Sequence, residues 1–545
     1  MNLLFLLKVC LLVSSLCDAS SVTISIQRNV AVRNAQLQKR AAHNIYSKRG
    51  DSVVAPLSNS LMQGLYYANV TVGTPTQRLA LQIDTGSSDT WVPSSSAALC
   101  QNPKLGGCPD GSFSATQSTS FSLIGQGDFN ISYVDNTGAV GDYFQDSFGI
   151  GDSTLSNFEM GLALQTTIGI GIMGIGYNTS EANTNTDSGG NGTIYQNLPY
   201  ALVSQGQTKS PAYSLWLNDL GKYLYLYISY LSKANNYIYK ESSTGSILFG
   251  AVDTDKYMGN LMTIKVYPIS RDYGITSFTV ALTSVSASSK SGSDQLTPPS
   301  FAVPAILDSG TTITLLPDDI AALIFEELGA TPEDQLGAVL VPCDLAQNTG
   351  TISYGFGGPD GPIIKVAVSD LVLPLTDNKG RSPKYKNGQT ACQLGIEPAG
   401  SLPVLLGDTF LRSAYVVYDL INNQVALAET KFNATKSNVV PFSSFGASIP
   451  DSKTVNNEIQ VSPTASSVPN VGDPPNPSET GSLQVEPSPS PTQLNARPGF
   501  LSINNSKNDK KSLAPAGLEP PAWPWFVVTC LSLALISVGS VFALL

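Results

Sequence analysis

The chain has 545 residues, enough for more than one domain, and 42% of them are hydrophobic, which is ample for a packed core. Its 41 acidic and 30 basic residues give a net charge of −11, which argues against nucleic acid or an anionic membrane surface as a partner. Abundant glycine and short runs of β-branched residues favour an all-β body.

The N-terminus has the pattern of a secretory signal followed by a basic segment. An apolar run precedes the small-residue site Cys17–Ala19, so residues 1–19 are predicted to be a cleaved signal peptide. An N-terminal membrane anchor is disfavoured because the run is too short. Residues 20–49 are predicted to be a prosegment: they are basic, end in the pair Lys48–Arg49 and contain the only histidine, His43. A mature chain that begins after this segment therefore cannot use a serine–histidine or cysteine–histidine mechanism, or a zinc site of the usual histidine type.

One five-residue motif occurs twice, as Asp84–Ser88 (Asp-Thr-Gly-Ser-Ser) and Asp308–Thr312 (Asp-Ser-Gly-Thr-Thr). Each copy follows an apolar run, so each aspartate is expected at a strand end that enters a tight turn. An apolar-apolar-Gly sequence follows each copy at a similar interval, as Ile172–Gly174 and Leu405–Gly407. The repeat indicates two halves that each give one carboxylate to a shared site, the alternative being that each aspartate only caps a turn.

These motifs resemble those of the pepsin-type (A1) aspartic endopeptidases over roughly residues 65–430. The resemblance implies an all-β, bilobal fold with two pseudo-twofold-related β lobes, here residues 50–258 and 259–432, and a cleft between them. It implies that Asp84 and Asp308 are catalytic and act on peptide or protein substrates without a metal or other cofactor. The remaining active-site positions implied by the resemblance are two glycines that approach the carboxylates closely and two hydroxyl donors to them: Gly86, Gly310, Ser87 and Thr311.

The chemistry follows from two neighbouring carboxyl groups. They cannot both ionise cheaply at a separation of a few ångströms, so they share one proton. The ionised group can take a proton from a water molecule while the protonated group polarises the peptide carbonyl, without a covalent intermediate. Activity is therefore expected at acid pH. The rival hypothesis is a catalytically silent cell-wall protein that binds peptide or glycan in the same cleft.

Residues 130–141 read as strand, turn and strand, and they resemble the flap hairpin that closes over bound peptide in this family. The resemblance places Tyr133 at the flap tyrosine and Trp91 at the tryptophan that can hydrogen-bond it, while Val134 stands where the family more often has glycine. Asp135 is a candidate contact for a basic substrate side chain, since the chain looks like the fungal yapsin-like branch, which favours cleavage next to Lys or Arg. The alternative is an ordinary turn aspartate.

Four of the seven cysteines remain once the predicted signal and the C-terminal tail are removed. The resemblance implies one disulfide in each lobe, Cys100–Cys108 and Cys343–Cys392. Asparagines in N-x-Ser/Thr sequons are candidate glycosylation sites in a secreted chain. They are Asn69, Asn130, Asn178, Asn191, Asn433 and Asn504, of which the first two lie in predicted strands.

Residues 221–240 do not fit the resemblance, because Leu220 should run almost directly into Glu241. The segment is rich in tyrosine and has no polar periodicity. Its first residues, Gly-Lys-Tyr, can be encoded by a splice-donor sequence, and its junction with Glu241 can be encoded by an acceptor. A translated intron is one hypothesis for this segment, and a genuine surface insertion is the other.

The C-terminal part of the sequence predicts a tether to the cell surface. Residues 433–512 are rich in Ser, Pro and Thr and read as an extended stalk. The uncharged run Phe526–Leu545, with small residues and a spacer before it, predicts a GPI-anchor signal at 513–545, with Ser512 as the attachment residue; a single membrane span is the alternative. With cleavage after Arg49 by a kexin-like protease, the expected product is a monomeric enzyme. Its expected location is the extracellular face of the plasma membrane, the cell wall, or both.

Overall fold

The computed structural model describes residues 51–60, 65–184, 192–218, 244–269, 274–334, 336–376, 381–461 and 494–502. Strands far outnumber helices in these ranges, which confirms the predicted all-β fold class. The predicted signal peptide, prosegment, anchor signal and residues 221–240 lie outside the described residues, as do the sequons at Asn191 and Asn504. None of the helices in the described ranges is long and apolar enough to cross a membrane.

The described residues of the first half form eleven strands, because short runs of β-branched and aromatic residues alternate with polar turns. Much of the long strand at residues 138–150 buries every second side chain, as expected for a sheet with one face on the core. The strands are β1 (Val53–Ser60), β2 (Leu65–Val72), β3 (Gln77–Asp84), β4 (Thr90–Pro93), β5 (Ser122–Ser132), β6 (Gly138–Ile150), β7 (Ser153–Thr166), β8 (Gly171–Gly174), β9 (Tyr213–Trp216), β10 (Thr244–Phe249) and β11 (Ala251–Asp253).

The second half repeats this pattern of short strands. They are β12 (Tyr257–Lys265), β13 (Thr279–Ser289), β14 (Gly292–Gln295), β15 (Val303–Leu307), β16 (Thr314–Leu316), β17 (Thr331–Glu333), β18 (Ala338–Pro342), β19 (Thr351–Phe356), β20 (Ile363–Ala367), β21 (Val372–Leu373), β22 (Ala391–Leu394), β23 (Ile396–Pro398), β24 (Val404–Leu406), β25 (Ala414–Asp419), β26 (Gln424–Thr430), β27 (Val439–Pro441) and β28 (Ser452–Thr454).

The helices of the described ranges are short. The α-helices are α1 (Ala98–Gln101), α2 (Leu198–Ser204), α3 (Asp318–Leu328), α4 (Asp408–Leu411) and α5 (Arg497–Leu501), and the 3₁₀ helices are Pro103–Leu105, Ala115–Gln117, Asn178–Ser180, Ala182–Thr184, Cys343–Gln347 and Val368–Leu371. Helix α3 has two aspartates in its first turn, where the helix dipole favours negative charge. It ends at Gly329, whose φ of 64° is left-handed. Its buried apolar face is spaced at helical intervals and includes Ile320, Ile324 and Leu328.

One fourteen-stranded sheet joins the two halves, in the order β28-β12-β26-β25-β9-β10-β1-β2-β3-β8-β4-β7-β6-β5. Strand β25 of the second half pairs antiparallel with β9 of the first, with Val416 opposite Leu215. In each half, the strand before the aspartate motif pairs in parallel with the apolar-apolar-Gly strand, β3 with β8 and β15 with β24. The fold is therefore bilobal, with the same arrangement of strands beside each motif.

One predicted domain boundary disagrees with the described strands. The other, between residues 258 and 259, falls inside β12 of the sheet that both halves share, and it stays a prediction. The stalk does not begin at residue 433, since β27 pairs with β11 and β28 pairs with β12. Phe442 and Ile449 are buried in this region. A few apolar side chains in a polar sequence supply these contacts, which average composition does not reveal.

Residues 494–502, also assigned to the stalk, pack on the second lobe. Their helix α5 buries Phe500, which joins the main hydrophobic core. Of the predicted stalk, residues 462–493 and 503–512 lie outside the described residues.

Both predicted disulfides are present. Cys100–Cys108 and Cys343–Cys392 have Cα–Cα distances of 4.7 and 5.0 Å. Each disulfide lies in its own lobe, as the resemblance implied. Among the described sequons, three asparagines are exposed and one is half-buried: Asn69, Asn130 and Asn433, and Asn178.

Candidate active site

The two repeated motifs lie at equivalent strand ends. Asp84 is the last residue of β3, and Asp308 directly follows β15. Asp84 is 5% exposed and Asp308 is 9% exposed. Because buried polar groups must be hydrogen-bonded, each carboxylate depends on donors from its own turn.

Both turns bind their aspartate in the same way. In the first turn, the Gly86 N–H donates to the Oδ1 atom of the aspartate at 2.8 Å, and the Ser87 hydroxyl donates to Oδ2 at 2.5 Å. In the second turn, the Gly310 N–H and the Thr311 hydroxyl make the same contacts at 2.8 and 2.5 Å. The structure therefore brings all four predicted supporting residues into contact with the two carboxylates.

The two glycines allow the turns to face each other closely. A Cβ atom on Gly86 would lie 2.6 Å from Oδ1 of Asp308, and one on Gly310 would overlap Oδ1 of Asp84. The Oδ1 atoms therefore face the opposite turn, while the hydroxyl donors bind the outer Oδ2 atoms. A larger residue at either glycine would push the two carboxyl groups apart.

Thr85 and Ser309 lock the two turns together through four hydrogen bonds. The Thr85 hydroxyl donates to the Leu307 carbonyl and accepts from the Ser309 N–H, both at 2.9 Å. The Ser309 hydroxyl donates to the Ile83 carbonyl and accepts from the Thr85 N–H, both at 3.2 Å. These two residues have no predicted role above. Their signal in the sequence is a hydroxyl residue directly after the aspartate in both motifs.

The electrostatics of the site favour one shared proton. Burial, together with the nearby Asp308, raises the pKa of Asp84 from 3.8 to about 7, while hydrogen bonds from Ser87 and Gly86 act in the opposite direction. Below about pH 7, this pair of carboxyl groups therefore keeps a proton. Such a pair can donate a proton to one oxygen atom and accept a proton from another.

The predicted flap is a hairpin of β5 and β6. At its tip, the Trp91 indole N–H donates to the Tyr133 hydroxyl at 2.8 Å. Asp135 is exposed, and its Oδ1 accepts from the N–H and the hydroxyl of Thr137 at 2.9 and 2.6 Å. The structure thus links Trp91 to Tyr133 as expected, whereas the hydrogen bonds of Asp135 lie within the turn.

Another buried carboxylate, Asp89, links strand β6 to the turn that follows Asp84. It accepts from the Tyr143 hydroxyl at 2.8 Å, the Tyr195 hydroxyl at 2.9 Å and the Ala182 N–H at 2.7 Å. Burial raises the pKa of Asp89 despite these donors. No local sequence pattern predicts this cluster, because its members are far apart along the chain and only the fold brings them together.

A further buried carboxyl group, Asp408, follows the second apolar-apolar-Gly sequence. Neither of its oxygens has a hydrogen-bond donor within the described ranges. Burial raises the pKa of Asp408 well above its usual range; Arg412 opposes this effect and the two motif aspartates add to it. The sequence signal for this buried group is an acidic residue directly after the glycine of the apolar-apolar-Gly sequence.

Comparison with known proteins agrees with the geometry. The family model described as eukaryotic aspartyl protease matches residues 65–430. The chain is 40% identical over 440 residues to the probable aspartic-type endopeptidase opsB of Aspergillus oryzae, covering 80% of this chain and 82% of that protein. It is 33% identical over 391 residues to aspartic proteinase yapsin-3 of Saccharomyces cerevisiae, covering 69% and 68%. Its fold resembles the crystal structure of the aspartic proteinase from Irpex lacteus, with a TM-score of 0.53, 23% identity, and coverage of 71% of this chain and 100% of that one.

Proposed function

Since the chain belongs to the eukaryotic aspartyl protease family and is an aspartic-type endopeptidase, we propose that Asp84 and Asp308 are its catalytic residues. The observation that carries this assignment is the mirrored arrangement of two buried carboxyl groups, each facing the glycine of the opposite turn. The Oδ1 atoms of both aspartates lie between the two turns, where a single water molecule and a peptide carbonyl can react.

The reaction then needs only the two carboxyl groups and water. The ionised carboxylate takes a proton from water as the water oxygen bonds to the peptide carbon, and the protonated carboxyl gives its proton to the carbonyl oxygen. The carboxyl that took the proton from water gives it to the leaving nitrogen as the C–N bond breaks. The other carboxylate takes back a proton from a hydroxyl of the tetrahedral intermediate, which becomes the new carboxyl product. The hydrogen bonds between Thr85 and Ser309 keep the two carboxyl groups in the same relative position during the reaction.

The flap and the substrate preference belong to the same proposal. The hydrogen bond from Trp91 to Tyr133 holds the tyrosine at the flap tip, where it can cover bound peptide. A preference for Lys or Arg near the scissile bond is supported by the exposed Asp135 at that tip and by the similarity to the yapsin-like branch. The competing role of Asp135 is to close the turn through Thr137. Cleavage of peptides that differ only by Lys or Leu at one position separates the two roles.

The location follows from the chain ends. Two disulfides in the folded body fit an oxidising compartment. The proposed route is secretion, removal of the prosegment after Arg49 by a kexin-like protease, and GPI anchoring near Ser512. The product would be a monomer on the outer face of the cell, in the plasma membrane or the cell wall, with glycans on its exposed sequons. Release of the cell-surface protein by a phospholipase that cuts GPI anchors would support this route, and retention after such treatment would count against it.

The deciding experiment is peptide hydrolysis at about pH 4–5 by the processed protein. We expect turnover that pepstatin inhibits and that Asp84→Asn abolishes. Absence of pepstatin-sensitive turnover would favour the rival function, a catalytically silent wall protein that binds peptide or glycan in the cleft.

A further inference from the structure

The residue two positions before each motif aspartate lies on the same face of its strand as that aspartate, because side chains alternate between the two faces of a strand. In the first lobe this residue is Gln82 of β3, and in the second lobe it is Ile306 of β15. The neighbours of Gln82 along β3, Leu81 and Ile83, belong instead to the main hydrophobic core. The two lobes therefore present different side chains beside their carboxyl groups, an amide in one and an apolar side chain in the other.

Strand register places Gln82 in a row of side chains beneath the flap. Its neighbour on β8 is Ile172, and the neighbour of Ile172 on β4 is Trp91. Paired residues of adjacent strands lie on the same face of a sheet. Ile172 and Trp91 belong to one apolar cluster, against which the flap residue Tyr133 packs. Gln82, Ile172 and Trp91 are called the first-lobe row below.

The second lobe repeats this row with aliphatic side chains. Ile306 is paired with Leu405 of β24, which is paired with Leu315 of β16. These three residues, called the second-lobe row, form one apolar cluster with Ala399. The two rows occupy equivalent places in the repeat. Gln82 thus gives the first-lobe row an amide at the position where the second-lobe row has an isoleucine.

The amide of Gln82 is held in one orientation by the second aspartate turn. Its Nε2 atom donates to the Gly310 carbonyl at 3.1 Å. Because a carbonyl oxygen can only accept, the amide nitrogen faces Gly310 and the amide oxygen faces away from it. This oxygen has no donor among the described residues, and it keeps contact with solvent in a side chain that is 8% exposed. Gln82 therefore offers a free acceptor beside the two carboxyl groups.

A substrate in the proposed reaction would meet both rows. Its scissile carbonyl lies between the Oδ1 atoms of Asp84 and Asp308, so the side chains on the two sides of the scissile bond face different lobes. The side chain that faces Gln82 meets an amide oxygen, which favours an N–H donor, and the side chain that faces Ile306 meets an apolar cluster. Two carboxyl groups that share one proton carry a negative charge, which favours a cationic donor over a neutral one.

We propose that Gln82 is a specificity-determining residue, whose amide oxygen accepts a hydrogen bond from a Lys or Arg side chain on one side of the scissile bond, while the second-lobe row receives an apolar side chain on the other side. This inference rests on the proposed function. It supplies a contact for the basic side chain inside the cleft, in addition to Asp135 at the flap tip, whose hydrogen bonds lie within its own turn.

Cleavage of three peptides that differ only at the two residues flanking the scissile bond tests the proposal. The flanking pairs are norleucine–norleucine, Lys–norleucine and norleucine–Lys. With the wild type at about pH 5, kcat/KM should be higher for one Lys peptide than for the norleucine peptide, and lower for the other. A hydrogen bond from a charged donor should give the favoured Lys peptide an advantage of about tenfold or more.

Gln82→Met keeps the length of the side chain and removes its amide. The loss of the hydrogen bond to the Gly310 carbonyl affects all three peptides alike, so ratios of kcat/KM isolate the contact with the substrate. The ratio of the favoured Lys peptide to the norleucine peptide should fall by about tenfold, and the ratio for the other Lys peptide should not change. Gln82→Leu is a second variant with the same expected result, in case methionine disturbs the packing.

Gln77→Met is the matched control. Gln77 lies on the same strand, and its amide makes two hydrogen bonds with the backbone of Ser114, away from the first-lobe row. This variant should keep both wild-type ratios.

The outcomes separate this inference from the proposed function. Equal cleavage of the two Lys peptides by the wild type would overturn the inference, and so would a uniform loss of activity in Gln82→Met and Gln82→Leu with unchanged ratios. Absence of pepstatin-sensitive cleavage of all three peptides by the wild type would refute the proposed function, and this inference with it.

Discussion

Replacing Thr85 with valine removes the hydroxyl that joins the two aspartate turns and keeps the branched shape of the side chain. In the wild type, this hydroxyl donates to the Leu307 carbonyl and accepts from the Ser309 N–H, both at 2.9 Å. Thr85 is 1% exposed, so water cannot replace these hydrogen bonds. The substitution therefore leaves one buried donor and one buried acceptor without a partner.

The magnitude follows from those two groups. Each unsatisfied buried group costs about 1–3 kcal/mol, so Thr85→Val should lower the free energy of unfolding by about 2–6 kcal/mol. The two turns would also hold Asp84 and Asp308 less firmly in register, so kcat should fall more than KM rises. Ser309→Ala removes two other hydrogen bonds of the same network. The double variant should therefore be destabilised by less than the sum of the single variants.

Chemical denaturation and peptide-cleavage kinetics measure both effects. Thr154→Val in β7 is the matched control, because Thr154 is exposed and its substitution should change stability by less than about 0.5 kcal/mol. If Thr85→Val is no more destabilised than this control and keeps its kcat, the interlocking hydrogen bonds do not hold the site together.

Three further predictions concern pH, the disulfides and the transcript. Because the pKa of Asp84 is raised to about 7, a pH profile of kcat/KM should fall about tenfold per pH unit above that value, and denaturation midpoints should drop as the pH rises from 4 to 7; a flat profile to pH 9 would contradict the shared proton. Cys343→Ser should cost about 4 kcal/mol and Cys100→Ser about 2.5 kcal/mol, because the disulfides that they break close loops of 49 and 8 residues; the reverse order of melting temperatures would count against this entropic argument. Sequencing of the mature transcript should show that residues 221–240 are absent, whereas a transcript that encodes them would establish the insertion.

The structure confirms the strands and the hairpin that were predicted from short-range sequence patterns. The apolar runs before Asp84 and Asp308 form strands, and residues 130–141 form a hairpin, because alternation and turn residues act over a few positions. The resemblance also supplied both disulfide pairings. The predicted start of the stalk after residue 432 is wrong, because the strand that follows it pairs with a strand from a distant part of the chain.

The sequence by itself determined the family, the all-β class and the positions of the two motif aspartates, because the Asp-(Thr/Ser)-Gly motif occurs twice in it. Only the tertiary structure decided how the two turns are locked together and how far the folded body extends. Asp89 meets Tyr195 across 106 positions, and Asp294 meets Ala496 across 202. Contacts of this kind depend on the folded path of the backbone, and no local pattern in the sequence encodes them. The same holds for the pKa of a buried carboxyl group, which is set by neighbours that only the fold assembles.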